Sequence, residues 1–190
     1  MEAFAYRDGA YASSMSTGEA MLLRQLASEV LVVLDDPGDF ATTSSMVSAA
    51  TETEQRREAP RERSLSMLLP SMSDDDEDAA RMRALTEDLL RTEKSARLRT
   101  VVSDLEHITH GDGDTLVIPR EGVWEWLGAL NDIRLGLAGE LELSDENDAR
   151  RIEDMALSEP TGERAQTVAA IYVLITWWQD SLLEAVNNSR

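Results

Sequence analysis

The run Val168 to Trp178, VAAIYVLITWW, is the densest apolar stretch in the chain and limits what the rest can fold into. It lies inside a longer segment, Glu163 to Asn187. There Val168, Ile171, Tyr172, Ile175, Trp178, Leu182 and Val186 recur at helical spacing, and Ala169, Leu174 and Trp177 widen the stripe. A helix this apolar needs neighbours on several sides. It is too short a run to cross a bilayer, which takes about 20 apolar residues, so the spacing predicts a core helix that other elements cover.

The preceding segments supply those elements. Ala3–Arg7 and Ala10–Ser14 flank Asp8-Gly9, a dipeptide suited to a tight two-residue turn, and predict a β-hairpin. A helix follows over about Thr17–Leu34, opened by a Ser16–Glu19 capping box, with Leu22, Leu23, Leu26, Val30, Leu31, Val33 and Leu34 inward and Asp36-Pro37-Gly38 as its stop. Residues 38–63 are Thr, Ser, Ala, Glu and Arg with almost no large apolar side chains, the composition of a flexible or disordered insertion. Ser64–Leu69 predicts one helical turn with Leu65, Leu68 and Leu69 inward, and the acidic run Asp74–Asp78 suits a helix N-terminus.

From about Asp78 to His107 the helical pattern changes phase. Met82, Leu85 and Leu89 define one stripe, and Leu98, Val101, Leu105 and Ile108 another nearly half a turn away. Either a break near Thr92–Ser95 separates two helices, or one helix buries different faces at its two ends. Thr115–Ile118 is β-prone and able to join the hairpin. The next helix turns Val123, Trp126, Leu127, Leu130, Ile133 and Leu137 inward, with Gly136 and Gly139 weakening its end. Ser144–Leu157 is a shorter helix with Ile152 and Met155 inward. The expected fold is mainly α: one domain over residues 1–190, a helical bundle around the C-terminal helix, with a small N-terminal β-hairpin that a third strand extends.

Charge narrows the partners. The chain carries 18 basic and 37 acidic residues, a net charge of -19, and is repelled by a phosphate backbone at long range. All the basic residues except Lys94 are arginine, as coding bias of a GC-rich genome produces; adaptation to salt is a second source of the acidity. The local basic excess falls at Arg81, Arg83, Arg91, Lys94, Arg97 and Arg99, with Arg91, Lys94 and Arg97 the candidate contacts for DNA or an acidic partner. The blander expectation is that these cations neutralise the chain's own carboxylates. A hairpin beside helices permits a winged-helix-like arrangement, but the acidity argues against direct reading of DNA.

No cysteine is present, which removes disulfides, thiol nucleophiles and thiolate metal sites. The N-terminus has neither a basic start nor a long apolar stretch, so cytoplasmic residence is expected. His107 and His110 lack a third nitrogen ligand, and no metal site or cofactor is expected. No nucleophile–base pair or phosphate loop marks a catalytic centre. Asn131, Asp132 and Arg134 stand out instead: Arg134 falls on the apolar stripe between Leu130 and Leu137, and Asp180 is its expected carboxylate partner. A buried polar bridge is the plain reading of these four residues; a small-molecule sensor or enzyme pocket is the sharper one.

The segment Trp126-Leu127-Gly128-Ala129-Leu130-Asn131-Asp132-Ile133-Arg134-Leu135 resembles an actinobacterial family long catalogued as a domain of unknown function and labelled AosR-like, for oxidative stress regulator. The likeness extends to Ala20–Arg24, to Leu69-Pro70, Arg83, Leu85–Asp88, Leu90-Arg91 and Lys94, and to Thr176–Leu182. The resemblance implies a non-enzymatic transcription-associated stress regulator that contacts RNA polymerase factors, with a Clp-related partner suggested by gene context. It also implies redox sensing through a cysteine pair. This chain departs there completely, leaving only methionine, a slower and less specific sensor. Direct DNA binding through residues 81–99 is the alternative role.

Overall fold

The computed structural model describes residues 1–35 and 56–189. Asp8 and Gly9 take φ of 51° and 85°, the left-handed pair that a two-residue turn needs to match strand twist. They join β1 (Ala5–Arg7) to β2 (Ala10–Ser14), with Tyr6 opposite Tyr11. β3 (Thr115–Pro119) pairs along the other edge of β2, with Ile118 opposite Tyr11, so the expected third strand completes an antiparallel sheet ordered β1-β2-β3. Alternation decides its faces: Tyr11, Ser13, Leu116 and Ile118 are buried while Val117 is exposed.

Seven helices are present among the described residues. α1 (Thr17–Asp35) opens on the predicted capping box, in which the Ser16 N–H donates to Glu19 at 2.8 Å and the Glu19 N–H donates to Ser16 Oγ at 3.3 Å. The chain's amino group, followed by that Ser16 N–H, holds the Glu19 carboxyl below its usual 4.5. α2 (Arg63–Leu68) buries Leu65 and Leu68. α3 (Asp76–Asp104) starts at Asp75, whose side chain accepts from the N–H groups of Glu77 and Asp78. It runs unbroken through Thr92–Ser95 and ends at Leu105, before the short α4 (Glu106–Thr109). After a 3-10 turn at Arg120–Gly122 come α5 (Val123–Glu140), α6 (Glu146–Leu157) and α7 (Arg164–Asn188).

The core is set by Trp178 on α7, which is fully buried. Its ring meets Phe4 at 4.7 Å and the edge of Trp126 at 6.2 Å, and its indole N–H donates to the Glu2 carbonyl and to Ser13 Oγ, both at 3.1 Å. That side chain therefore joins the sheet, α5 and α7, and its one polar atom is satisfied inside. α7 packs on α5, α6 and the hairpin, while α5 also touches α1, α2, α3 and β3. The bundle is arranged about the α5–α7 pair.

One expectation needs correction. The stripe Met82, Leu85 and Leu89 does not face the core: these side chains are 48%, 73% and 62% exposed, and the N-terminal half of α3 buries Ala79, Glu87 and Arg91 instead. The second stripe behaves as expected, with Leu98, Val101, Leu105 and Ile108 buried. The loose insertion expected over 38–63 falls mostly on 36–55, outside the described residues. Its last part lies along α3, where the Arg57 N–H donates to the Ala80 carbonyl at 3.1 Å, and α2 begins at Arg63.

Gly139 also acts differently from its expected role as a helix weakener, since α5 continues to Glu140. A Cβ at this position would sit 2.5 Å from Ser64 Cα and 2.7 Å from Ser64 N. The absent side chain is what lets α2 lie against α5. Propensity alone gains about 1 kcal/mol on replacing a helical glycine by alanine, whereas overpacking costs about 1–3 kcal/mol. Gly139→Ala is expected to destabilise by a net of roughly 1–2 kcal/mol, read as a lower urea midpoint. Gly18→Ala, in α1 with nothing within 4 Å of its Cβ, should shift the midpoint the opposite way.

Candidate functional site

The inward face of α3 carries charge at a spacing of four residues: Arg83, Glu87 and Arg91. Glu87 is 3% exposed and takes Arg91 Nε at 2.9 Å and Nη2 at 2.8 Å on one oxygen, with Arg57 Nη2 at 3.3 Å; Arg83 Nε faces its other oxygen at 3.8 Å. Arg91, 2% exposed, also donates from Nη1 to the Leu34 carbonyl at 2.7 Å. α1 has no basic residue in its last turn, so Arg91 brings to its C-terminus the positive charge that the helix dipole favours. One turn on, Ser95 Oγ and Arg99 Nη2 hold the Asp35 carboxylate at 2.8 and 2.6 Å.

Lys94 and Arg97 converge on a different carboxylate. Asp132 on α5 is 1% exposed, and it accepts from Lys94 Nζ on Oδ1 at 2.5 Å and from Arg97 Nε on Oδ2 at 2.7 Å. Gly128, one turn before Asp132, leaves the space: a Cβ there would come within 2.8 Å of Arg97 Nη1. A further strut joins the same two helices, as the Trp126 indole N–H donates to Asp104 at 2.8 Å. Arg91, Lys94 and Arg97 therefore all spend hydrogen bonds on partners within the protein.

Arg134 pairs differently from expectation. Its Nη1 donates to Gln179 Oε1 at 2.8 Å, its guanidinium lies 5.8 Å from the centre of the Tyr172 ring, and Gln179 in turn donates to the Leu127 carbonyl at 3.4 Å. Asp180 is exposed. Each helical residue advances the side chain by about 100°, so the positions of α7 that face α5 here are 172 and 179, and Asp180 falls on the solvent side. Asn131 is half-buried beside Asp132. The structure thus brings Asp132 to Lys94 and Arg97, and Arg134 to Gln179, as two separate bridges.

His107 Nε2 lies 3.2 Å from the Thr115 carbonyl and His110 Nδ1 2.7 Å from the Glu106 carbonyl. No group of three metal-ligating side chains occurs among the described residues. No described helix is long and apolar enough to cross a membrane.

Opposite the charged face of α3, Met82, Leu85 and Leu89 form a stripe at i, i+3 and i+7 in solvent. Sequence periodicity located these residues but assigned them inward. The charge ladder Arg83, Glu87, Arg91 gave no local signal of the true orientation, because i, i+4 charge pairs are ordinarily a solvated face; the contacts that bury it come from Leu34 and Arg57.

A family described as a domain of unknown function, DUF2017, matches residues 1–186. The chain belongs to the DUF2017 family. No curated protein and no solved structure matches it. In this DUF2017 chain the Asp132 clamp closes the interface between α3 and α5. Removing one partner of a buried ion pair strands the other charges, at a cost of about 3–5 kcal/mol. Lys94 and Arg97 are 11% and 27% exposed and regain some hydration. Asp132→Asn is therefore expected to destabilise by roughly 2–3 kcal/mol, below that range, measured by chemical denaturation against the exposed control Glu93→Gln.

Proposed function

We propose that this protein is an intracellular, non-enzymatic regulator, transcription-associated and acting in stress responses, that works mainly through contacts with other proteins. The observation that carries this reading is the exposed stripe of Met82, Leu85 and Leu89, which lies on the side of α3 away from the core. Grouped apolar side chains left in water on a regular helix are a docking surface more often than an accident of packing. The AosR-like resemblance supplies the kind of partner: components of the transcription machinery, with Clp factors as the gene-context candidate. Thiol sensing is no part of the proposal, because the chain has no cysteine.

Direct DNA binding draws less support. Arg91, Lys94 and Arg97 are engaged with Glu87, Leu34 and Asp132, and the net charge of -19 opposes a polyanion.

Tagged wild-type protein and the double variant Leu85→Glu, Leu89→Glu are compared for capture of RNA polymerase subunits, sigma factors and Clp components from native cytosol. Both positions are exposed, so circular dichroism and urea midpoint should stay unchanged. The proposal expects at least one of these named components to be retained by wild type and lost by the variant. Equal capture by both, or tight duplex-DNA binding that collapses with added salt and with neutralisation of Lys94 and Arg97, overturns it.

A further inference from the structure

α5 is covered on two sides and open between them. Asp132 and Gly128 turn toward α3, where they meet Lys94 and Arg97, while Leu127 and Arg134 turn toward Gln179 on α7. Trp124, Gly128 and Asn131, at i, i+4 and i+7, run along the strip that is left. Positions at this spacing are neighbours, about 5–6 Å apart at Cβ, so the side chains at 124 and 131 flank whatever lies on Gly128.

What lies there is the Arg97 guanidinium: a Cβ on Gly128 would be 2.8 Å from its Nη1 and 3.4 Å from its Cζ. Nε is spent on Asp132 at 2.7 Å. Among the described residues Nη1 and Nη2 donate to no protein atom, and the side chain is 27% exposed. The half-buried Asn131 amide likewise has no protein partner among the described residues, and Trp124 is 61% exposed. Asp132 is met by both Lys94 and Arg97. Two cations on one carboxylate leave a positive charge over, in a chain whose net charge is -19.

We infer that this strip of α5 binds an acidic segment of a partner protein, one that presents a carboxylate next to an apolar side chain. The carboxylate takes the outward edge of Arg97, whose two Nη groups match its two oxygens, and the Asn131 amide donates beside them. The apolar neighbour packs on Trp124; tryptophan and arginine are the side chains that most often dominate the energy of an interface. A polyanion fits worse, because one surplus cation balances a single carboxylate and the rest of the chain repels further phosphates. The site uses no residue of the α3 stripe and holds whether or not that stripe docks anything.

The probe is a fluorescently labelled peptide of alternating phenylalanine and aspartate, set against the same peptide with asparagine for aspartate and against labelled oligothymidylate. The aspartate peptide should bind at least tenfold more tightly than either. Trp124→Ala should weaken it by tenfold or more and Asn131→Ala by several-fold, with urea midpoints near that of wild type. Arg97→Lys, which keeps a cation on Asp132 and removes the fork, should bring the aspartate peptide to the level of the asparagine one. Leu85→Glu, Leu89→Glu should leave binding unchanged, so failure of this site and failure of the α3 stripe are told apart. The inference is overturned if the aspartate peptide does not bind or binds no better than the asparagine peptide. It is equally overturned if Trp124→Ala and Arg97→Lys leave binding intact, or if oligothymidylate binds more tightly and is lost with those variants.

Discussion

The buried pairing of Arg91 with Glu87 fixes the rotation of α3, and with it what the protein shows to solvent. Arg91 is held on both sides, by Glu87 on its own helix and by the last turn of α1 through the Leu34 carbonyl. Desolvating these charges is costly unless each is met by partners of good geometry. Arg91 and one oxygen of Glu87 are so met, the other oxygen having only Arg83 Nε at 3.8 Å. Turning the leucines inward would break that pairing or strand the guanidinium and the carboxylate in surroundings without water. Asp35 and Asp132 hold the same orientation further along, through Ser95 and Arg99 on one side and Lys94 and Arg97 on the other. The positive charge that the sequence concentrates between residues 81 and 99 thus works largely as a lock between helices.

α5 is where the remaining constraints meet. Its buried face supplies Trp126, Leu130 and Ile133 to the core, its Asp132 receives the α3 cations, and its Gly139 admits the α2 backbone. Gly128 leaves room for Arg97 within the same helix. The WLGALNDIRL segment therefore reads as a packing device in which apolar, small and charged positions each contact a different neighbour. Trp178 completes the arrangement from α7 by joining the sheet to that helix.

Features encoded locally were legible in the sequence. The Asp8-Gly9 turn, the Ser16–Glu19 box, the acidic run Asp74–Asp78 at a helix start and the β-prone Thr115–Ile118 each depend on residues within a few positions of one another. The inward faces of α1, α5 and α7 were legible because there apolar spacing and burial coincide, except at Trp177, which was placed on the widened stripe and is 44% exposed. The first half of α3 was misread since periodicity assumes that apolar means inward. Its orientation is decided by partners far along the chain, at residues 34 and 57. The partner of Arg134 was misread for a smaller reason: one residue of helix, from Gln179 to Asp180, moves a side chain from the interface to solvent. At Gly139 the requirement is a backbone contact from another segment, which no pattern within α5 announces.

The orientation of α3 is tested most directly by thiol labelling, because the absence of native cysteine makes any introduced one unique. Leu85→Cys and Leu89→Cys should react in the dilute native protein at nearly the rate of the urea-unfolded chain, and Ala79→Cys, on the inward face, should be strongly protected. Protection at positions 85 and 89 with free reaction at 79 would mean that the helix buries its leucines after all, and the account of the charged face would fail with it.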